Sequence, residues 1–195
     1  MWNNKLVIFL PLTVMIGLFA FGYYSIMGAD EVTNEDLDAR TELYLDIDDT
    51  ENRVTAGWNW ETMPGDGVIG TDYIEIILYD EDNNLVDVDV NEAELQLLQG
   101  ADEIYSIDEI KESTEGILFS FPNMMEDNLT YGNSGSINMT FDAEEDVAYG
   151  EVRYAHTWTH GSSLESGTLA PGDVSFSNGT QYWVLTRTSL ETAGE

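Results

Sequence analysis

The chain has 195 residues, of which 38 are Asp or Glu and only six are Lys or Arg, giving a formal charge of −32. A charge of that sign excludes nucleic acid as a partner, because its phosphates would be repelled. No cysteine is present, which excludes both a disulfide framework and a lipid-modified cysteine and leaves the fold to an ordinary core.

The charge is unevenly spread. All 38 acids fall at or after Asp30, whereas Leu6 to Met27 (LVIFLPLTVMIGLFAFGYYSIM) carries no charged residue. As a helix this run reaches about 33 Å, enough to cross a hydrocarbon core of about 30 Å, so 6–27 is expected to be a transmembrane helix. Trp2 at one end and Tyr23 and Tyr24 at the other suit the two interfaces, and Lys5 favours a cytoplasmic 1–5 with Asp30 onward outside. A cleaved signal peptide, giving a secreted soluble domain, is the rival expectation. The Met27-Gly28-Ala29 tripeptide resembles a cleavage site, but Met27 is bulky for it and the apolar run exceeds the usual ~7–15 residues.

Residues 28–40 are polar and acidic and read as a stalk, 41–190 as one extracytoplasmic domain and 191–195 as a tail. From Asp30 on, five cations face 38 acids, so most carboxylates repel one another. Screening by salt relieves that repulsion, and the composition points to adaptation to a saline or alkaline exterior.

Within the body, apolar residues recur with period two. Leu43, Leu45 and Ile47 share one face, Val54, Ala56, Trp58 and Trp60 another, and 48–52 between them makes a hairpin loop. Ile74, Ile76 and Leu78, the turn 80–84, and Val86, Val88 and Val90 with Asp87 and Asp89 facing away predict a second hairpin with one wet face. Asn91 as an N-cap with Glu94 behind it predicts a short helix or irregular insertion over 91–113. Strands resume at Ile117, Phe119 and Phe121 and, after a long polar link over 122–135, at Ile137, Met139 and Phe141. Val152, Tyr154, His156 and Trp158 then align with Glu151 and Arg153 opposite, and 181–188 closes the series. The expected fold class is mainly β: an N-terminal transmembrane helix followed by an antiparallel β-sandwich, immunoglobulin-like in the loose sense, of about seven to nine strands.

Candidate chemistry is sparse. His156 and His160 are the only histidines; four residues apart on a strand they lie about 13 Å apart, too far to share a metal unless the chain folds back after Trp158. His156 shares its face with apolar residues, which favours a hydrogen-bonded core histidine. Asp80, Asp82, Asn84 and Asp87 open like a calcium loop, but Leu85 stands where such a loop needs Gly and Asn91 where it needs Glu, which favours a hairpin turn. A weak Ca²⁺ or other divalent-ion site is the alternative reading of these residues. Trp58, Trp60, Trp158 and Trp183 suggest either core packing or a sugar-stacking platform. No nucleophile motif or phosphate loop occurs. The functional expectation is a non-enzymatic, membrane-anchored exterior domain that binds a protein or envelope component.

Overall fold

The computed structural model describes residues 3–27 and 31–192, with side chains for 9–24 and 31–190. Trp2, Gly28, Ala29, Asp30 and residues 193–195, which enter the interface, cleavage-site and tail expectations, lie outside the described residues. The chain divides into two units, Met1–Val32 and Thr33–Glu195.

The first unit is a helix, α1 (Asn3–Met27), with Pro11 inside it. Large apolar side chains stand on all its sides and are exposed, Leu10, Met15, Leu18 and Phe21 among them. Among the described residues, no helix is long and apolar enough to cross a membrane. The membrane-spanning expectation for 6–27 is therefore not met by the described residues.

The second unit is mainly β and antiparallel throughout. Its strands are β1 (Thr41–Asp48), β2 (Arg53–Trp60), β3 (Ile69–Tyr79), β4 (Val88–Gln99), β5 (Asp102–Ile107), β6 (Lys111–Glu112), β7 (Ile117–Glu126), β8 (Leu129–Tyr131), β9 (Ser134–Ala143), β10 (Tyr149–Thr157) and β11 (Tyr182–Thr188). One sheet has the order β1-β2-β9-β4-β5; the other runs β11-β10-β3-β7-β6, with β8 added to β7. An immunoglobulin constant-type sandwich has four strands facing three, so the likeness is one of architecture. The inner faces meet through Trp58 of β2, which stacks on Phe121 of β7 at 4.7 Å and lies against Tyr154 of β10 at 5.7 Å. The inward residues expected on β1, β2, β7, β9 and β10 are buried, apart from Ile47 and Trp158, which are partly buried, Trp158 lying just beyond the end of β10.

Four expectations need correction. The run 74–90 is not a hairpin between neighbours. Its turn forms, with Val86 N–H donating to the Leu78 carbonyl at 2.9 Å, but both edges of β3 are taken, by β10 and β7, so β4 crosses to the other sheet. The segment 91–113 is no helix. It holds most of β4, then β5 and β6, and register shifts between Val90 and Glu92 and between Leu97 and Leu98 break the alternation that would have revealed it. Within it Leu95 and Leu97 are buried and Glu94 faces out, as strand geometry requires. The link 122–135 is the end of β7, a turn with positive φ at Asp127 and Asn128, and β8. Finally, the outer face of the second sheet is not wet. The segment 158–181 lies over it and closes a second core of Tyr73, Leu118, Ala155, Leu169, Val174 and Phe176.

The acidic segment ahead of β1 is partly structured. Asn34–Arg40 forms a 3-10 helix whose Leu37 and Asn34 are buried in the sandwich unit.

Candidate functional site

Strands β3 and β10 run side by side with Ile74 opposite Tyr154 and Tyr73 opposite Ala155. That register places Asp72 beside His156 on the inner face, at one end of the sandwich. Both are fully buried. Asp72 is surrounded by donors: Tyr154 O–H reaches Oδ2 at 2.7 Å and His156 Nδ1 lies 3.0 Å from it, while Thr157 N–H and Asn123 Nδ2 reach Oδ1 at 2.9 and 3.1 Å. His156 Nε2 lies 2.9 Å from Asn34 Oδ1. The amide of Asn34 is oriented by its own donors, since Nδ2 gives hydrogen bonds to Asp66 Oδ1 and the Gly67 carbonyl at 2.8 Å each. Nδ1 of His156 thus lies between the Asp72 carboxylate and, at 3.1 Å, the Asn123 amide nitrogen, while Nε2 faces the Asn34 side-chain oxygen.

Three indoles enclose that ring. Trp60 meets it edge-on at 5.0 Å, Trp158 stacks on it at 5.5 Å and Trp183 lies at 5.0 Å. Trp60 also donates to the Tyr154 hydroxyl at 3.2 Å and Trp183 to the Asn34 carbonyl at 2.9 Å. The Tyr154 phenol is pushed well above its ordinary range, first by burial and then by the charge and hydrogen bond of Asp72. The tryptophans thus build a closed cage and not an open stacking platform.

A second polar centre lies on the opposite face of the same two strands. Arg153 and Glu75 pair across β10 and β3. The guanidinium bonds Glu75 at 3.1 Å and Glu151 at 2.5 Å, and also contacts Glu115 and the Thr168 hydroxyl. Glu75 Oε2 accepts in addition from Thr168 and from Leu169 N–H, so the overlying segment is fastened here. Glu75 Oε1 is buried without a hydrogen-bond partner among the described residues. Burial works against the Arg153 charge, but Glu115 and Glu151 outweigh it and raise its proton affinity further. Glu115 is held below the ordinary carboxylate range chiefly by its hydrogen bond to Arg153, with burial opposing.

The sequence-derived metal candidates are not brought together. His156 is spent in the buried cage, whereas His160 is exposed beyond the end of β10. Asp80 caps its own turn: Oδ1 accepts from the N–H groups of Asp82 and Asn84 and Oδ2 from Asn84 Nδ2, all at 2.8 Å. Those hydrogen bonds, the Asn84 side chain foremost, hold its carboxyl below the usual range. Asp82 and Asp87 are exposed on either side. Among the described residues no group of three or more His, Asp or Glu has the arrangement to hold a metal ion.

One surface stands apart. Among the described residues of this unit, the outer face of the first sheet is open, with Glu42, Tyr44, Asp46, Glu92, Glu94 and Asn138 exposed, in contrast to its counterpart under 158–181. Cross-strand register sets its side chains in rows: Tyr44, Gly57, Ser136 and Gln96 in one, Asp46, Thr55, Asn138 and Glu94 in the next. Its only Lys or Arg is Arg53, which is paired with Glu51 at 2.6 Å.

Sequence reasoning missed Asp72, Asn123 and Asn34, although two of them left a signal. Asp72 is in phase with Ile74, Ile76 and Leu78, and Asn123 with Ile117, Phe119 and Phe121; a polar residue on an apolar face requires a buried partner. No family model matches the chain, and no curated protein matches it in sequence.

Proposed function

We propose that this protein is a non-enzymatic exterior module: an apolar helix holds it at a membrane, and an acidic β-sandwich binds a protein or envelope component. The observation that carries this reading is unequal covering. One sheet is buried on both faces, while the other presents a bare, polar outer face across strands locked in register. The buried groups capable of proton transfer, His156, Asp72 and Tyr154, are saturated by one another and enclosed by indoles, which supports binding over catalysis. The anchor rests on the uncharged run Leu6–Met27 and on a helix apolar on all sides, which in water would have no partner for those side chains. The acidic surface suits a saline or alkaline exterior, where salt screens self-repulsion.

A photoreactive residue replacing Asn138, on the bare face, should capture a partner in intact cells. The same residue at Ser175, over the covered sheet, should capture none. Equal capture from both positions, or none from Asn138, would contradict the reading.

A further inference from the structure

We infer that the bare face of the first sheet receives a lysine- and arginine-rich segment of a partner protein; this deepens the binding reading above and rests on it. The face has two acidic banks. Glu42 and Asp46 of β1 form one, and Glu92 and Glu94 of β4 the other, all exposed. Between them β2 and β9 supply a low floor, where Gly57, Thr55, Ser136 and Asn138 present short side chains. The banks are three strand spacings apart, about 14 Å. That is too wide for one cation, whose oxygen ligands sit at about 2.3–2.6 Å. A polypeptide lying along the trough fills it, with basic side chains reaching both ways.

Tyr44 adds a second element. Its ring lies across Gly57 so closely that a Cβ there would fall 2.4 Å from the hydroxyl oxygen. The ring therefore lies over the sheet at Gly57, 44% exposed, with its free side toward solvent between Glu42 and Asp46. An aromatic face flanked by carboxylates is a receptor for guanidinium or ammonium. A neutral sugar would use the ring but gains nothing from four carboxylates. Arg53, the one cation of this face, sits at its end and is already held by Glu51.

The test is fluorescence anisotropy of a labelled peptide of alternating lysine and alanine, titrated with the full chain in detergent at physiological salt. Neutralising the banks together, Asp46→Asn, Glu92→Gln and Glu94→Gln, is expected to weaken binding about tenfold, the combined effect of three exposed charge pairs. Removing as much charge elsewhere, Glu144→Gln, Glu145→Gln and Asp173→Asn, should change it less than about twofold. Arg53→Gln should tighten binding about two- to threefold. Equal losses in the two triple variants, or weaker binding with Arg53→Gln, would overturn the inference. So would a peptide that fails to bind, or a neutral glucose oligosaccharide that binds in its place and is lost with Tyr44→Ala. If the peptide fails while cross-linking from Asn138 still captures a partner, only the basic-partner inference falls. If the peptide behaves as expected and cross-linking captures nothing, the cellular binding reading falls instead.

Discussion

The two buried polar centres differ by three residues on the same pair of strands. Asp72 and His156 face inward; Glu75 and Arg153, at an odd offset from them, face outward. Each couples an acid from β3 to a base from β10. In the inner pair every oxygen of Asp72 has donors, and aromatic rings seal it. The outer pair carries a surplus, three carboxylates about one guanidinium, with Glu75 Oε1 unpartnered among the described residues. An acidic sequence can therefore satisfy both oxygens of one buried carboxylate with neutral donors and a histidine and still leave the other dependent on a single cation, although Asn123 Oδ1 at the inner centre is also unpartnered among the described residues.

That dependence gives the largest expected effect. Arg153→Met would leave Glu75 fully buried and unpaired beside Glu115 and Glu151, and should cost about 3–5 kcal/mol. The overlying segment 158–181 should loosen first, because Thr168 and Leu169 are fastened to the same carboxylate. Urea unfolding measures the loss, and hydrogen exchange at Leu169 locates it. Adding Glu75→Leu to Arg153→Met should recover part of the stability, since no buried charge then stands alone. A double variant no better than the single would mean that the surplus carboxylates, and not Glu75, set the cost.

Much of this was legible from alternation, and the limits of legibility are physical. The inward apolar residues on β1, β2, β7, β9 and β10 repeat every second position and could be read directly. β4 could not, because two bulges shift its phase and leave leucines at spacings that suggest no regular strand. The outer core was hidden for a different reason. Arg153 looked like a solvent-facing residue, and only the return of the irregular segment 158–181, which has no periodicity, turns that face into an interior. His156 was readable as a core histidine, but its acceptor Asn34 lies 122 positions earlier, in a stretch that composition marks as a stalk. Long-range pairing of single polar residues leaves no local pattern.

The sealed inner centre yields a smaller and pH-dependent effect. Asp72→Asn keeps the shape but turns one acceptor into a donor facing donors, and should cost about 2–3 kcal/mol at neutral pH. Because the Tyr154 phenol is raised in the folded protein, its contribution is complete below about pH 10, where the unfolded chain ionises, and is lost as pH rises toward the folded value. Asp72 supplies part of that elevation through charge and hydrogen bonding, while burial supplies the larger part. The variant should accordingly stop losing stability at a lower pH than the native chain, because its phenol ionises sooner in the folded state. Tyr73 and Tyr79 are also raised, mainly by burial, and give both proteins a common slope. Limbs that level off at the same pH would mean that Asp72 is not felt by Tyr154.

The contrast between sealed and open sites can be sharpened on the other sheet, where two glycines each lie beneath an aromatic ring. Gly135, on the inner face, would place a Cβ 2.4 Å from the end of the Trp58 indole and 2.6 Å from the Gln96 carbonyl. Trp58 is buried, stacked on Phe121 and held by its N–H to the Gly132 carbonyl at 2.7 Å, so it has nowhere to move. Gly135→Ala should cost about 1–3 kcal/mol by thermal unfolding. Gly57→Ala meets only the outer end of Tyr44, whose ring is free to swing into solvent, and should cost under about 1 kcal/mol. The two substitutions would separate stability from surface chemistry, because the milder one also lifts the ring off the trough floor and should weaken basic-peptide binding while the fold persists. A Gly57→Ala protein as destabilised as Gly135→Ala would mean that Tyr44 is fixed by packing, and that the bare face is a rigid part of the core's support.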